Sequence, residues 1–232
     1  MAFNLVWDTD GTRFYESGVS NVVLYPYDTE NETYGAGVAW NGCTSINDNP
    51  EGGDANDLWA DNIKYGTLRS AEKVSGSIEA YTYPTEFEAC DGMATPVAGM
   101  KLRQQSRKRF ALCYRTEIGS DTDPDAGYKI HFLYGLTASP SDKTYDTIND
   151  SPDAITFSWD FESTPIPVTI DDVVYKPTSS IEVDSRDVND ANMTALLEKA
   201  YGTAATTGDN PVAAVPAALP TPVQIYTLLG GQ

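Results

Sequence analysis

Side chains equipped for chemistry are few in this sequence. A single histidine, His131, is present in 232 residues, so any Ser-His-Asp or Cys-His arrangement has to be built on it. It lies inside an alternating strand pattern, nothing resembles GxSxG, and no motif surrounds Cys43, Cys90 or Cys113. We read His131 as a strand histidine with satisfied polar contacts, and metal sites needing two histidines are excluded by count. The cysteines are odd in number, widely spaced and without CxxC, which predicts free thiols, with Cys113 packed as a small hydrophobe.

Acidic groups are abundant but unspecific. With 34 Asp and Glu, chance pairs are guaranteed, and spacing singles out no carboxylate pair for glycoside cleavage. Asp121, Asp123 and Asp125 in DTDPDAG imitate the start of a calcium loop. Glycine falls at the seventh position, however, and Phe132 stands where a bidentate Glu is needed. An Asp-rich turn is the expectation there, with an irregular cation site as the alternative. No GxxxxGK[ST] occurs, and Gly35, Gly37 and Gly42 have the wrong spacing for a dinucleotide fingerprint. We expect no catalytic, cofactor-binding or metal-binding residues, and no cofactor.

Charge distribution is more informative. Acidic residues outnumber the 15 Lys and Arg to give a net charge of −19, which argues against a general nucleic-acid binder. Yet Lys101, Arg103, Arg107, Lys108 and Arg109 crowd into nine positions. They form either a solvated basic loop leading into the strand at Phe110, or a patch facing the acidic loop of another copy, where complementary charge fixes register. That acidic loop carries Asp48, Glu51, Asp54, Asp57 and Asp61, together with Trp59.

The elements that must position these residues are mainly strands. In residues 154–162, Ile155, Phe157, Trp159 and Phe161 alternate with polar side chains, the period of a half-buried strand. Tyr128, Ile130, Phe132 and Tyr134 share one face of a second strand, and Phe110, Leu112 and Tyr114 one face of a third. These two are expected to pair through the turn-rich segment 119–127. Further strands are expected at 20–27, 38–46, 73–83 and 169–175. Met193, Leu196, Leu197, Ala200 and Tyr201 recur at helical spacing behind Asn189 and Asp190 and before Gly202, which predicts one helix over 189–201. Residues 41–64 are too long and polar for a tight turn and are expected to project as a loop. Beyond Gly202 the chain is rich in Ala, Pro and Thr, with Asp209 its only charged side chain, and ends in Val223, Ile225, Tyr226, Leu228 and Leu229. It is expected to be an extended arm that docks at its end. The start MAFNLVWDTDG has no basic segment followed by an apolar one, and no run of about 18 apolar residues follows, so neither a secretory signal nor a membrane span is expected.

The stretches VAWNGCTSINDNPEGGDANDLWADNIKYGTLRSAEKVSGSIEAYTYPTEFEACDG and QQSRKRFALCYRTEIGSDTDPDAGYKIHFLYGLTASPSDKTYDTINDSPDAITFSWDFESTPIPV resemble the major tail (tail-tube) proteins of siphophages over residues 38–168. That resemblance implies a tail-tube-like β-sandwich or barrel with one flanking helix, a long projecting loop and extended terminal arms. It implies six copies per ring, rings stacked into a tube through which DNA passes, and a place in the virion tail after assembly in the host cytoplasm. Tape-measure, terminator and initiator proteins would be partners, and no catalytic residue carries over. Residues 1–19 and 203–232 would be the arms, 20–202 the domain, and 41–68 the loop reaching the next ring; the Ala- and Pro-rich segment after Gly202 departs from the family's pattern. A negatively charged lumen would repel phosphate over about a Debye length, roughly 8 Å. The alternative from a different class is a carbohydrate-binding β-sandwich module of a virion or surface protein, using Trp40, Trp59 and Trp159 as stacking platforms. Alternation places Trp159 in the core, which leaves Trp7 and Trp59 as the exposed candidates.

Overall fold

The computed structural model describes residues 5–141, 143–145, 147–148, 153–207 and 212–231. Asp209 and the first four residues of the expected N-terminal arm lie outside these. Strands come first: β1 (Phe14–Asp28), β2 (Thr33–Tyr34), β3 (Val38–Ala39), β4 (Cys43–Glu51), β5 (Ala55–Ala60), β6 (Ile63–Arg69) and β7 (Lys73–Ala80). After a 3-10 turn at Thr85–Ala89 come β8 (Ala94–Val97), β9 (Met100–Leu102), β10 (Phe110–Ser120) and β11 (Gly127–Ala138). The rest comprises β12 (Phe157–Ser163), β13 (Ile166–Ile170), β14 (Val173–Thr178), β15 (Ser180–Asp184), α1 (Asp190–Tyr201) and α2 (Pro222–Leu228). The protein is mainly β, as its alternation predicts.

Nine strands form one antiparallel sheet, in the order β2-β1-β10-β11-β12-β7-β4, with β3 added to β1 and β15 to β11. The expected β10–β11 pair is present, with Cys113 opposite Phe132 and Tyr114 opposite His131. Along its other edge β11 pairs first with β15, through Lys129 to Leu133, and then with β12, through Leu136 to Ala138. The handover falls at Gly135, whose φ of 65° and close approach to the Thr164 carbonyl only glycine accommodates.

Both faces of the central β10–β11 pair are covered, which the one-sided patterns above did not foresee. On one face Phe110, Leu112 and Tyr114 of β10 pack with Leu133, Leu136, Trp159, Phe161, Ile78, Trp40 and Phe87. Phe87, from the 3-10 turn, meets Trp40 at 4.5 Å, Trp159 at 5.2 Å and Phe110 at 5.4 Å between ring centroids, mostly edge to face. On the other face Ala111, Cys113, Ile130, Phe132 and Tyr134 pack under Met193, Leu196 and Ala200 of α1 and Ile225 of α2. The run Phe110-Ala-Leu-Cys-Tyr114 is apolar without a break, as a strand buried on both sides must be.

The helix α1 forms where expected, with the Asn189 side chain accepting from the Asn192 amide at 2.9 Å and the chain leaving at Gly202. A second helix, α2, stands where an extended end was expected. Thr221 and Gln224 form a reciprocal capping box with Pro222 in the first turn, and this signature overrides the extended reading of so short a segment. The C-terminal segment folds back on its own sheet: the Gly37 amide donates to Ala217 at 2.9 Å, and the Tyr134 hydroxyl to Pro220 at 2.9 Å. Tyr25 adds a buried bond to the Ala200 carbonyl at 2.6 Å.

Other expectations change in detail. Residues 14–19, assigned to the N-terminal arm, belong to β1 and pair with the far end of β10, with Phe14 opposite Ser120. Ile155 lies outside β12 and is exposed, because regular pairing begins at Phe157 opposite Ala80. The single strand expected over 169–175 is the hairpin β13–β14, turned at Asp171 and Asp172, which take φ of 49° and 61°.

One tight contact tests the packing of β4 on β7. A Cβ on Gly76 would lie 1.9 Å from the Asn47 carbonyl oxygen and 2.8 Å from the Phe161 ring. Gly76→Ala should therefore destabilise the fold by about 2 kcal/mol or more in urea unfolding, since backbone rather than a flexible side chain must move.

Candidate assembly surface

The segment read as a long polar loop divides in two. Cys43–Glu51 is β4, an integral strand paired to β7, and Asp48 sits on it opposite Gly76. Beyond it, β5 and β6 form a separate two-stranded ribbon with Asp57 opposite Thr67 and Trp59 opposite Lys64. The tip is Asp61 and Asn62, both at positive φ (52° and 62°), a turn geometry that Asp and Asn tolerate. Polar side chains brace the ladder: Lys64 reaches the Asp57 carboxylate at 2.7 Å, and the Thr67 hydroxyl donates to it at 2.8 Å. These two hydrogen bonds hold the Asp57 carboxyl below its usual range.

The ribbon's apolar side chains are open to solvent. Trp59 is 68% exposed, Ile63 64%, Tyr65 77% and Leu68 59%, with Leu58 also exposed. No residue of β5 or β6 is buried. The sequence pattern flagged Trp59 but not its neighbours, although DLWADNIKYGTLR carries two strand-like runs around a turn-forming Asp-Asn. Two smaller ribbons share the character: Val97 and Met100 on β8–β9, and Val173, Val174 and Tyr175 on β13–β14, are exposed.

The acidic and basic candidates are not joined within the chain. Glu51 pairs with Lys73 at 3.6 Å across β4 and β7, Asp57 with Lys64, and Lys101 on β9 with Glu88. Asp54 and Asp61 make no ion pair among the described residues, and neither do Arg103, Arg107, Lys108 and Arg109. Lys108 and Arg109 are used through their backbones, the Lys108 amide donating to Ala89 and the Arg109 carbonyl accepting from Tyr27. Partial desolvation, with Glu182 nearby, pushes the Asp48 carboxyl above its usual range.

The remaining polar candidates are held in local structure. Asp121 accepts from the Gly11 amide at 3.0 Å and pairs with Arg13 at 3.6 Å, while Asp123 accepts from the Asp125 amide at 3.0 Å. Among the described residues no group of three His, Cys, Asp or Glu could hold a metal ion. All three cysteines are free; burial pushes the Cys90 and Cys113 thiols up to about 12 and the half-buried Cys43 up to about 11, so none is a ready nucleophile. Trp40 and Trp159 are core, so neither can stack on a sugar; Trp7 and Trp59 are exposed. Among the described residues no helix is long and apolar enough to cross a membrane.

No protein-family model matches the chain, and no curated protein matches it.

His131 is a buried titratable group with several charged neighbours. Its ring stacks on Tyr114 at 4.6 Å. The Thr116 hydroxyl donates to Glu16 at 2.6 Å, so its oxygen accepts from His131 Nε2 at 2.9 Å, and the neutral ring carries its proton there. Nδ1 then faces Glu182 at 3.6 Å, and Lys129 lies between the two acids, 2.8 Å from Glu16 and 3.6 Å from Glu182.

Burial lowers the His131 pKa from its ordinary 6.5, an effect that Glu182 and Glu16 oppose without cancelling. An unfolded chain therefore takes up this proton at a pH where the folded chain does not. The stability due to neutral His131 is complete above about pH 6.5 and falls as the pH drops below it. Burial alone would raise Glu16, but hydrogen bonds from Lys129 and Thr116 outweigh it and lower its pKa, so its own contribution is lost only at more acid pH. In His131→Gln, urea midpoints measured from about pH 8 down to about pH 5 should fall less steeply than in the wild type.

Proposed function

We propose that the chain is a self-assembling structural subunit of the tail-tube kind, with copies closing into rings, rings stacking into a tube and DNA passing along the lumen without specific binding. The observation that carries this proposal is the β5–β6 ribbon, whose Trp59, Ile63, Tyr65 and Leu68 are ordered in a ladder yet stay largely exposed among the described residues. An isolated two-stranded ribbon is at best marginally stable in water, and one that also exposes large apolar side chains needs a surface to lie on. A second copy supplies such a surface without a further gene product, and a closed ring limits the addition to a fixed number of copies.

Two further features support it. The sheet ends in open edges at β4 and β2, and such edges are liabilities in a monomer but contact surfaces in an assembly. The net charge of −19 suits a wall along which phosphate slides rather than sticks. Hexameric rings, a virion-tail location and tape-measure, terminator and initiator partners belong to the same proposal.

Negative-stain microscopy and sedimentation of the purified protein should show rings or tubes. A monomer that persists at high concentration would remove the basis of the proposal. Trp59→Ser combined with Tyr65→Ser should suppress the assemblies while changing the unfolding free energy of the subunit by no more than about 0.5 kcal/mol, because neither side chain is part of a core.

A further inference from the structure

About half of the cations pair with a carboxylate among the described residues; Arg103 and Arg107 are among those that do not. Both line a pocket of about 530 Å³ together with Gln105, Lys143, Tyr145 and Asp91. Arg107 is the fixed member. Its side-chain stem lies against Gly92, where a Cβ would come within 3.2 Å of it, and its Nε is buried with no hydrogen-bond partner among the described residues.

The other walls are also set in advance. Lys143 is held at 3.1 Å by Asp91, in a pair with side chains only 11% and 9% exposed. The same ammonium lies 5.7 Å from the rings of Tyr83, Phe157 and Trp159, which ties this side of the pocket to the aromatic core. Arg103 is exposed and, among the described residues, its guanidinium reaches the Tyr145 hydroxyl, at 3.5 Å. Asp91 is paired with Lys143, and among the described residues neither guanidinium makes an ion pair, in a pocket of a strongly acidic protein.

We propose that this pocket is a binding site for a compact oxyanion, a phosphate or a carboxylate, held between Arg103 and Arg107. Arg107 offers a planar fork whose stem lies against Gly92, which suits two oxygens of one group, and Arg103 stands on the opposite side. The surrounding negative field opposes entry, so affinity comes from these local bonds and not from long-range attraction. The oxyanion has two sources: free phosphate, or an acidic side chain of a second copy, for which Asp61 at the unpaired ribbon tip is suited. Only the second source rests on the assembly proposed above.

Equilibrium dialysis with radiolabelled inorganic phosphate, at constant ionic strength and at a protein concentration low enough to sediment as monomer, tests the site. Saturable uptake of one phosphate per chain is expected. Arg107→Lys, which keeps the stem and the charge, should weaken uptake about tenfold, the loss of one charged hydrogen bond. Arg103→Gln combined with Arg107→Gln should abolish it, and Arg69→Gln, on the ribbon, should leave it unchanged. Absence of saturable uptake in the wild type, or undiminished uptake in a double variant that circular dichroism shows to be folded, overturns the site. Sedimentation at higher concentration separates the sources. If saturating phosphate and Asp61→Asn each weaken association, a second copy supplies the oxyanion; if neither does, the ligand is a free anion. A wild type that binds phosphate but stays monomeric keeps the site and overturns the assembly.

Discussion

Burial of both faces of β10 and β11 is the constraint on which the rest of the molecule depends. A central pair that is apolar on each side requires two separate covers, and the chain builds them from different materials. One is aromatic: Trp40, Phe87 and Trp159 fill the space on the side where β12 and β7 continue the sheet. The other is helical: α1 and α2 lie over Cys113, Ile130, Phe132 and Tyr134. Tyr25 and Tyr134 link the layers, since each buries its ring in the second core while its hydroxyl satisfies a carbonyl of α1 or of the segment leading into α2. The C-terminal segment is therefore structural roof, and truncating it would uncover the central pair.

That division also explains how the charge is arranged. Once both faces of the central strands are apolar, the carboxylates fall on strand ends, turns, ribbons and the open faces of the outer strands. Where the sheet faces change from apolar to polar, Glu16, Glu182, Lys129 and Thr116 gather around His131, and the buried ring stays neutral because burial outweighs its acidic neighbours. Repulsion among so many acids is relieved pair by pair, through Lys73, Lys64 and Arg186, so the cations left unpaired stand out by contrast.

Much of the fold is legible in the sequence, and the parts that are not fail for identifiable reasons. Period-two alternation locates β10, β11 and β12, because one face of each meets a continuous core. It does not show that Ala111 and Cys113 face a second core, since small side chains leave little contrast. The helix α1 is legible from its spacing and its Asn189 cap; α2 is hidden because seven residues are too few for a period, and only the Thr221 and Gln224 box marks it. Acid-rich composition suggested a loop at 41–68, whereas β4 there is held by backbone pairing to β7, to which Asp48, Asn49 and Glu51 are no obstacle on an exposed face. Of the candidate surface, Trp59, Arg103 and Arg107 were visible as residue types. Lys143, Asp91 and Tyr145 were not, because only the tertiary fold brings them to the pocket.

The β5–β6 ribbon shows why composition misleads there and what its order requires. Fixing each ribbon residue costs about 1 to 2 kcal/mol of backbone entropy, and a hydrogen bond in water returns about 0.5 to 1.5 kcal/mol net, so the ladder alone does not hold it. Emergence from β4 and β7, where Glu51 faces Lys73, closes the base of the ribbon and removes part of that cost. The remainder has to come from apolar burial, at about 1.5 to 3 kcal/mol for a large side chain fully covered. Leu58, Trp59, Ile63, Tyr65 and Leu68 hold that reserve unspent in the single chain. In the assembly proposed above, rigidity of the ribbon and contact with a neighbour are thus one thermodynamic event. Its acidic side chains set the register of that contact, and its apolar ones provide the free energy.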